Sequence, residues 1–194
     1  YNIVQIKHRD RAGNHIAVSL LPAYQNVTNS GAVENMETAS FVQSAQCIIS
    51  AVPFNAARWE GPMLYKCMPG ASTENDDTFV AGFTHHGVLR VFPGNVAPEF
   101  LLQNGIRDAI GPVVKLVQDG EVVATDDGIG SVQAIAYRAC DKMTFFFSCG
   151  CVKAPGMSAV QVANVLKSLN VTTAVMTSIE QPSSKSNTHA GMLY

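Results

Sequence analysis

The chain has 194 residues, 47% hydrophobic and 14% charged, a balance that predicts one compact domain, 1–194, with a buried core. Thirteen Lys and Arg oppose fifteen Asp and Glu, giving a formal charge of -2 without a basic stripe, so no nucleic-acid partner is expected. The longest apolar runs, Ala45–Phe54 and Met143–Phe147, are far shorter than the roughly 20 residues of a membrane span, so none is expected.

Short apolar blocks separated by Gly, Pro, Asn and Asp are typical of many short strands. Asp119-Gly120 predicts a hairpin, because a two-residue turn needs positive φ. His85-His86-Gly87 predicts a second hairpin. In chain order we predict strands at Asn2–Lys7, His15–Leu21, Cys47–Val52, Met63–Lys66, Phe79–Thr84, Val88–Phe92, Val113–Gln118, Glu121–Ala124, Gln133–Arg138, Thr144–Ser148 and Thr172–Met176.

Two helices are predicted among these strands. Ser158–Leu169 carries an apolar stripe at helical spacing, and Ser158 and Gln161 have the spacing of a capping box. Asn170 follows as a left-handed cap. Thr38–Ala45 predicts a shorter helix, and the polar stretch that begins at Gln181 predicts a loop or tail over 181–194. The expected fold is therefore α+β, with a mixed, mostly antiparallel sheet of many short strands and a few packed helices.

The cysteines do not indicate a disulfide framework, because their number is odd and their spacing is irregular. Cys149-Gly150-Cys151 differs from the usual metal or redox spacing, so buried or structural cysteines are predicted, without a metal or cofactor. The five residues are Cys47, Cys67, Cys140, Cys149 and Cys151.

Three further motifs each allow a functional and a structural interpretation. His85-His86 could take part in metal or nucleophilic chemistry, but the following Gly87 favours a hairpin tip. Asp126–Gly130 resembles part of a calcium loop, yet it lacks the regular acidic ligands and closing Glu, which favours a turn. Trp59 could be a sugar-stacking platform, although a lone Trp in such a loop is more often a packing or interface residue.

Two features bear on secretion. The chain begins at Tyr1, without Met or a charged-then-apolar leader, which indicates a processed product or a segment of a longer chain. Asn26-Val27-Thr28 is a glycosylation sequon in a polar loop, usable if the chain is secreted. Asn170-Val171-Thr172 is a second sequon, but it leads into a predicted core strand, where modification is less favoured.

The order of elements in the second half carries a resemblance. Gly111-Pro112 and the Asp119-Gly120 hairpin are followed by two strands, by Gly156-Met157-Ser158, and then by a helix and a strand. This order resembles the phosphodiester glycosidase family, in particular its uncovering-enzyme-like domains, and the Gly-Met-Ser helix start is the most specific match. The resemblance covers about Asn2 to Ser184 and implies the fold of that family.

The family's polar site segments are altered here. Its Asn-Gly-Gly-Phe-Phe segment falls on Ser50–Phe54, its Pro-Arg-Thr-Ala on Ser131–Ala134, its Asp-Gly-Arg on Cys149–Cys151, and its final Asp-containing segment on Met176–Ser184. Phosphodiester cleavage needs cationic or amide donors on the phosphate and a group for proton transfer. The resemblance therefore implies a degenerate member, with altered positions at Ser50, Val132, Cys149, Cys151 and Ser178.

The leading hypothesis is a non-catalytic structural or assembly module, either virion (phage tail-like) or extracellular. Its partners would be protein subunits of that assembly, including copies of itself, with glycans as a further alternative. A rival hypothesis is an active sugar phosphodiester glycosidase with displaced catalytic residues drawn from Glu180, Ser183, His85 and Arg138. A third is a carbohydrate-binding module that uses Trp59.

Overall fold

A computed structural model describes residues 1–9, 12–13, 64–65, 68–69, 78–150 and 156–180. The predicted strands at His15–Leu21 and Cys47–Val52 and the predicted helix at Thr38–Ala45 lie outside these ranges. Within them the strands are β1 (Asn2–Lys7), β2 (Leu64–Tyr65), β3 (Met68–Pro69), β4 (Phe79–Thr84), β5 (Leu89–Pro93), β6 (Ile106–Gln118), β7 (Glu121–Val122), β8 (Ser131–Arg138), β9 (Met143–Cys149) and β10 (Thr173–Glu180). The helices are α1 (Pro98–Gln103) and α2 (Ala159–Ser168).

The described strands form one sheet, in the order β1-β9-β8-β10-β6-β2-β3. Strand β4 pairs with both β5 and β6, and β7 pairs with β6. Every pairing between these strands is antiparallel. Together with the two short helices, this arrangement confirms the α+β prediction.

Both predicted hairpins are present. Asp119 and Gly120 have φ of 52° and 82°, the left-handed backbone that a two-residue turn between β6 and β7 requires. Gly87 has φ 74°, and its N–H donates to the Thr84 carbonyl oxygen at 2.9 Å in the turn between β4 and β5. Both turns therefore form at the residues that tolerate positive φ.

Helix α2 begins with the predicted capping box. The Gln161 N–H donates to Ser158 Oγ at 3.2 Å, and the Ser158 N–H donates to Gln161 Oε1 at 3.0 Å. Past the other end, Asn170 adopts φ 56°, as predicted for a left-handed cap. Helix α1 was not predicted, because six residues are too few to establish a helical period.

Strand β6 is longer than predicted. The predicted strand begins at Val113, but β6 begins at Ile106 and runs through Gly111-Pro112. The register against β4 is shifted there, since Phe79 pairs with Val113 and Ala81 with Ile110. A proline is tolerated within a sheet at such a bulge. The ladder of hydrogen bonds is already interrupted there, so the missing N–H of the proline removes no regular hydrogen bond.

The two faces of the sheet are covered differently. Helix α2 packs on one face through Val162 and Leu166, both 0% exposed. The β4–β5 hairpin covers the other face, where Phe83 and Leu89 pack against Tyr137 of β8. Burying each such side chain contributes about 1.5–3 kcal/mol, so both layers stabilise the sheet.

Candidate functional site

Three segments that the resemblance assigned to the family's site lie together at one end of β8, β9 and β10. Val132 of β8 pairs with Cys149 of β9 and, on its other side, with Ile179 of β10. Ser178 pairs with Gln133. Residues that are 17 positions apart in the chain (Val132 and Cys149) and 47 positions apart (Val132 and Ile179) are thus neighbours at the strand ends.

Val132 and Cys149 belong to the hydrophobic core at this place. Val132 is 0% exposed and Cys149 is 8% exposed, and both lie in the cluster beneath α2. Cys149 is buried, as predicted, and is a free cysteine. Cys140, in contrast, is exposed in the β8–β9 turn. A cation at position 132 would therefore displace apolar packing.

The Gly156-Met157-Ser158 motif makes a close backbone contact with Gly130 near the same strand ends. Met157 forms an isolated bridge with Gly130, through Met157 N–H to Gly130 O at 3.0 Å and Gly130 N–H to Met157 O at 3.3 Å. A Cβ on Gly156 would lie 1.7 Å from the Gly130 carbonyl oxygen. Only glycine allows this approach, which sets Ser158 at the start of α2.

Uncharged polar residues cross three strands of the sheet on the face opposite α2. Asn2 pairs with Ser148 and Ser148 with Gln133, in one register across β1, β9 and β8. We call these three residues the polar row. Asn2 is exposed, and Ser148 and Gln133 are partly exposed. The sequence analysis missed this row, although Gln133 and Ser148 each lie between buried apolar neighbours in their strands.

Arg138, a candidate catalytic residue, is held by structural contacts. Its Nε and Nη2 donate to the Asp141 carboxylate at 2.8 Å, and its Nη1 donates at 2.8 Å to the Leu169 carbonyl oxygen after α2. The hydrogen bond with Asp141 raises the pKa of Arg138 and lowers the pKa of Asp141. Arg138 therefore joins the β8–β9 turn to the end of α2.

His85 and His86 form the predicted turn and are exposed. The His86 carbonyl oxygen contacts a buried histidine that the sequence analysis did not identify. His8 is 1% exposed, with Nδ1 2.9 Å from the His86 carbonyl oxygen and Nε2 2.8 Å from Thr144 Oγ1. A carbonyl only accepts, so Nδ1 donates there. A Cβ on Gly87 would lie 2.5 Å from His8 Cε1, so the turn packs directly on the imidazole.

The structure does not bring the described candidates of the rival hypothesis together. Glu180 pairs with Ser131 at the first residue of β8, and Arg138 is the last residue of that strand. Seven steps of about 3.3 Å separate these positions by about 23 Å. His85 lies at the tip of the hairpin that covers the face opposite α2, whereas Arg138 contacts the end of α2.

Other predicted site residues lie outside the described residues: Asn26, Ser50, Trp59, Cys151 and Ser183. In the ranges that the structure describes, no three His, Cys, Asp or Glu side chains are grouped as metal ligands. The loop with Asp126 is an exposed turn, in which the Gly128 N–H donates to Asp126 Oδ1 at 2.8 Å. No helix in those ranges is long and apolar enough to cross a membrane.

A cavity of about 290 Å³ lies between β5 and the adjoining parts of β6 and β10. Its charged lining consists of Arg90, Lys115 and Asp119. Thr173, which also lines it, pairs with Tyr137 near the end of β8. The cavity is therefore at the opposite end of β8 from Val132, and no predicted site residue within the described ranges lines it.

The described strands and helices form an α+β fold that is similar to a solved phosphodiester glycosidase domain. The fold is similar to the catalytic domain of zebrafish N-acetylglucosamine-1-phosphodiester alpha-N-acetylglucosaminidase, auto-inhibited by its pro-peptide, with a TM-score of 0.61 and 20% identity. The match covers 90% of this chain and 69% of that chain. At this identity it shows a distant relationship of fold. No protein-family model matches the sequence, and no curated protein matches it.

Proposed function

We propose that this chain is a non-catalytic module of a larger assembly, virion or extracellular, built on a phosphodiester-glycosidase-like fold. The observation that carries the proposal is the burial of Val132 and Cys149 side by side beneath α2. These positions correspond, in the resemblance, to an arginine and an aspartate. A valine has no cationic group for a phosphate, and a cysteine thiol stands where a carboxylate would transfer a proton.

The distribution of the remaining candidate groups supports the same conclusion. General acid–base catalysis requires its groups within hydrogen-bond reach of one substrate. Arg138 and the position of Glu180 are about 23 Å apart along β8. The Arg138 guanidinium is also bound to Asp141 and to the Leu169 carbonyl oxygen, so recruiting it to a substrate would break three hydrogen bonds.

The enzymatic alternative keeps one specific observation in its favour. Glu180 occupies the register position next to Ser131, at the strand ends where Val132 and Cys149 lie. A displaced carboxylate at that place would be the residue on which an active glycosidase depends. This alternative therefore makes Glu180 the residue to test.

The experiment is an assay of the purified chain with an N-acetylglucosamine-1-phosphodiester, following released N-acetylglucosamine by mass spectrometry. We expect no turnover above the uncatalysed background. Glu180→Gln is the test variant, and Glu121→Gln on β7 is the matched control, because its carboxylate binds Lys167 far from the strand ends. Turnover that disappears in Glu180→Gln and survives in Glu121→Gln would establish the enzyme instead.

The assembly part of the proposal is supported by exposed apolar side chains. Val123 and Ile129 are 42% and 61% exposed and lie on one loop between β7 and β8. Such side chains are suited to burial against a neighbouring subunit. We expect sedimentation to show concentration-dependent association, weakened by Ile129→Ser. A chain that stays monomeric at high concentration, without a large subunit interface in its particle, would contradict this part.

A further inference from the structure

Strand β5 is paired along one edge. Among the strands that the structure describes, β5 pairs with β4 and with no other. Two hydrogen bonds at the ends of this pair fix its pattern: the Thr84 N–H donates to the Val88 carbonyl oxygen at 3.1 Å, and the Gly94 N–H donates to the Thr78 carbonyl oxygen at 2.8 Å. In an antiparallel pair, opposite residues that share hydrogen bonds alternate with opposite residues that share none. Every second residue of β5 is therefore bonded to β4.

The backbone groups of the other residues of β5 point away from β4. In the register of the pair, the residues that share hydrogen bonds with β4 are Arg90 and Phe92. The N–H and carbonyl groups of Leu89 and Val91 lie on the outer edge. Pro93 follows in the same alternation and has no N–H, which is typical of a proline at a sheet edge. The outer edge therefore presents N–H donors and carbonyl acceptors at two positions and a further carbonyl at the proline.

The cavity of about 290 Å³ lies along this outer edge. Consecutive residues of β5, 89–92, line one wall of it. Side chains on one face of a strand contribute only every second residue, so a wall of consecutive residues indicates that the strand meets the cavity with its edge. The facing wall contains Lys115 and Gln118 of β6 and Thr173 of β10. The space beside β5 is therefore bounded by a strand edge on one side and by polar residues on the other.

Charged residues give this cavity a positive balance. Two cationic residues, Arg90 and Lys115, line it together with one anionic residue, Asp119, which leaves a net charge of +1. Lys115 Nζ lies 4.1 Å from the centroid of the Phe79 ring and donates to Gln118 Oε1 at 2.9 Å. An ammonium group has three donors, so Lys115 retains donors for a further acceptor. The charge of the cavity is complementary to a carboxylate.

We propose that the outer edge of β5 binds an extended, acidic segment of a partner protein. The segment pairs with Leu89 and Val91 as an added strand and places a carboxylate beside Lys115. In this mode of recognition the main-chain hydrogen bonds supply affinity, and alternate side chains supply specificity. The site is at the opposite end of β8 from Val132, away from the strand ends to which the resemblance assigns the family's site. The inference deepens the proposed function, because it names the kind of segment by which a partner subunit attaches.

The first test is binding of a labelled, capped hexapeptide of alternating valine and glutamate to the whole 194-residue chain, followed by fluorescence anisotropy. The same peptide with methylated amide nitrogens keeps its side chains but cannot donate main-chain hydrogen bonds. We expect it to bind about tenfold or more weakly. A peptide with lysine in place of glutamate should also bind more weakly, because it brings a second cation to Lys115.

Variants of the protein test the two contacts separately. Val91→Pro removes the outward N–H without removing a hydrogen bond to β4, and it should weaken binding about tenfold. Val91→Thr keeps this N–H and is the matched control. Lys115→Gln should weaken binding about two- to fivefold, and Lys7→Gln, an exposed lysine on β1, should bind as the wild type does. Circular dichroism checks that each variant is folded, and the methylated peptide tests the same hydrogen bonds on the unaltered chain.

Three outcomes would overturn the proposal: no binding of the valine-glutamate peptide, equal affinity for its methylated form, or undiminished binding by folded Val91→Pro. Self-association that is lost in Val91→Pro, without peptide binding, would overturn it in favour of a second copy of this chain at the edge. Turnover of an N-acetylglucosamine-1-phosphodiester would contradict the proposed function and not the β5 site. Absence of peptide binding would contradict only the inference.

Discussion

Substitution of Val132 tests whether the strand ends still have room for a catalytic arginine. Val132→Ala removes two carbon atoms from a side chain that is 0% exposed, which costs about 1.6 kcal/mol at about 0.8 kcal/mol per buried carbon. The remaining cavity raises the loss to about 2–3 kcal/mol. Val132→Arg inserts a larger side chain into this packed site and buries its charge, which costs several kcal/mol more.

These losses can be compared with the whole stability of a domain, about 5–15 kcal/mol. Urea unfolding followed by circular dichroism should show a clearly lowered midpoint for Val132→Ala and little folded Val132→Arg. Gln133→Arg, on the partly exposed opposite face, is the control for an arginine in the same strand and should change stability by less than about 1 kcal/mol. Val132→Arg that unfolds within about 1 kcal/mol of the wild type would refute the argument that this position belongs to the core.

Three further predictions concern stability. Gly87→Ala should lower the free energy of unfolding by about 2–4 kcal/mol, because the φ of 74° is combined with a Cβ position 2.5 Å from a buried imidazole. Gly120→Ala is the control: it has φ 82° in open space and should lower the free energy of unfolding by only about 1 kcal/mol. Equal shifts of the melting temperature in the two variants would disprove the steric contribution. Ser158→Ala should lower the free energy of unfolding by about 1 kcal/mol through loss of the cap, and an unchanged urea midpoint would show that the capping box is dispensable. The Arg138 hydrogen bond lowers the pKa of Asp141, so its stabilising effect is complete above the ordinary Asp pKa and is lost as pH falls through the lowered value. Because the Asp141 side chain is 40% exposed and screened by solvent, Asp141→Asn should cost at most about 1 kcal/mol at pH 7 and less at pH 3, and a pH-independent difference would contradict the linkage.

The candidate site was only partly predictable. The resemblance identified Val132, Cys149 and Ser178 as altered positions, and the structure places their segments side by side. The sequence did not indicate that Val132 faces the core beneath α2. The alternation of side chains along a strand assigns residues to two faces, but it does not say which face a helix covers. Arg138 was a reasonable catalytic candidate in sequence, but its partner, the Leu169 carbonyl oxygen, is 31 residues away.

The sequence by itself determined the local features of this protein. The Asp119-Gly120 turn and the Ser158 capping box follow from interactions within four residues, so the residue types alone fixed them. Only the tertiary structure decided that β6 continues through Gly111-Pro112 and that uncharged polar residues align across three strands. Register and face depend on pairing between distant strands and on the layers that cover them, and no local period in the chain records those contacts.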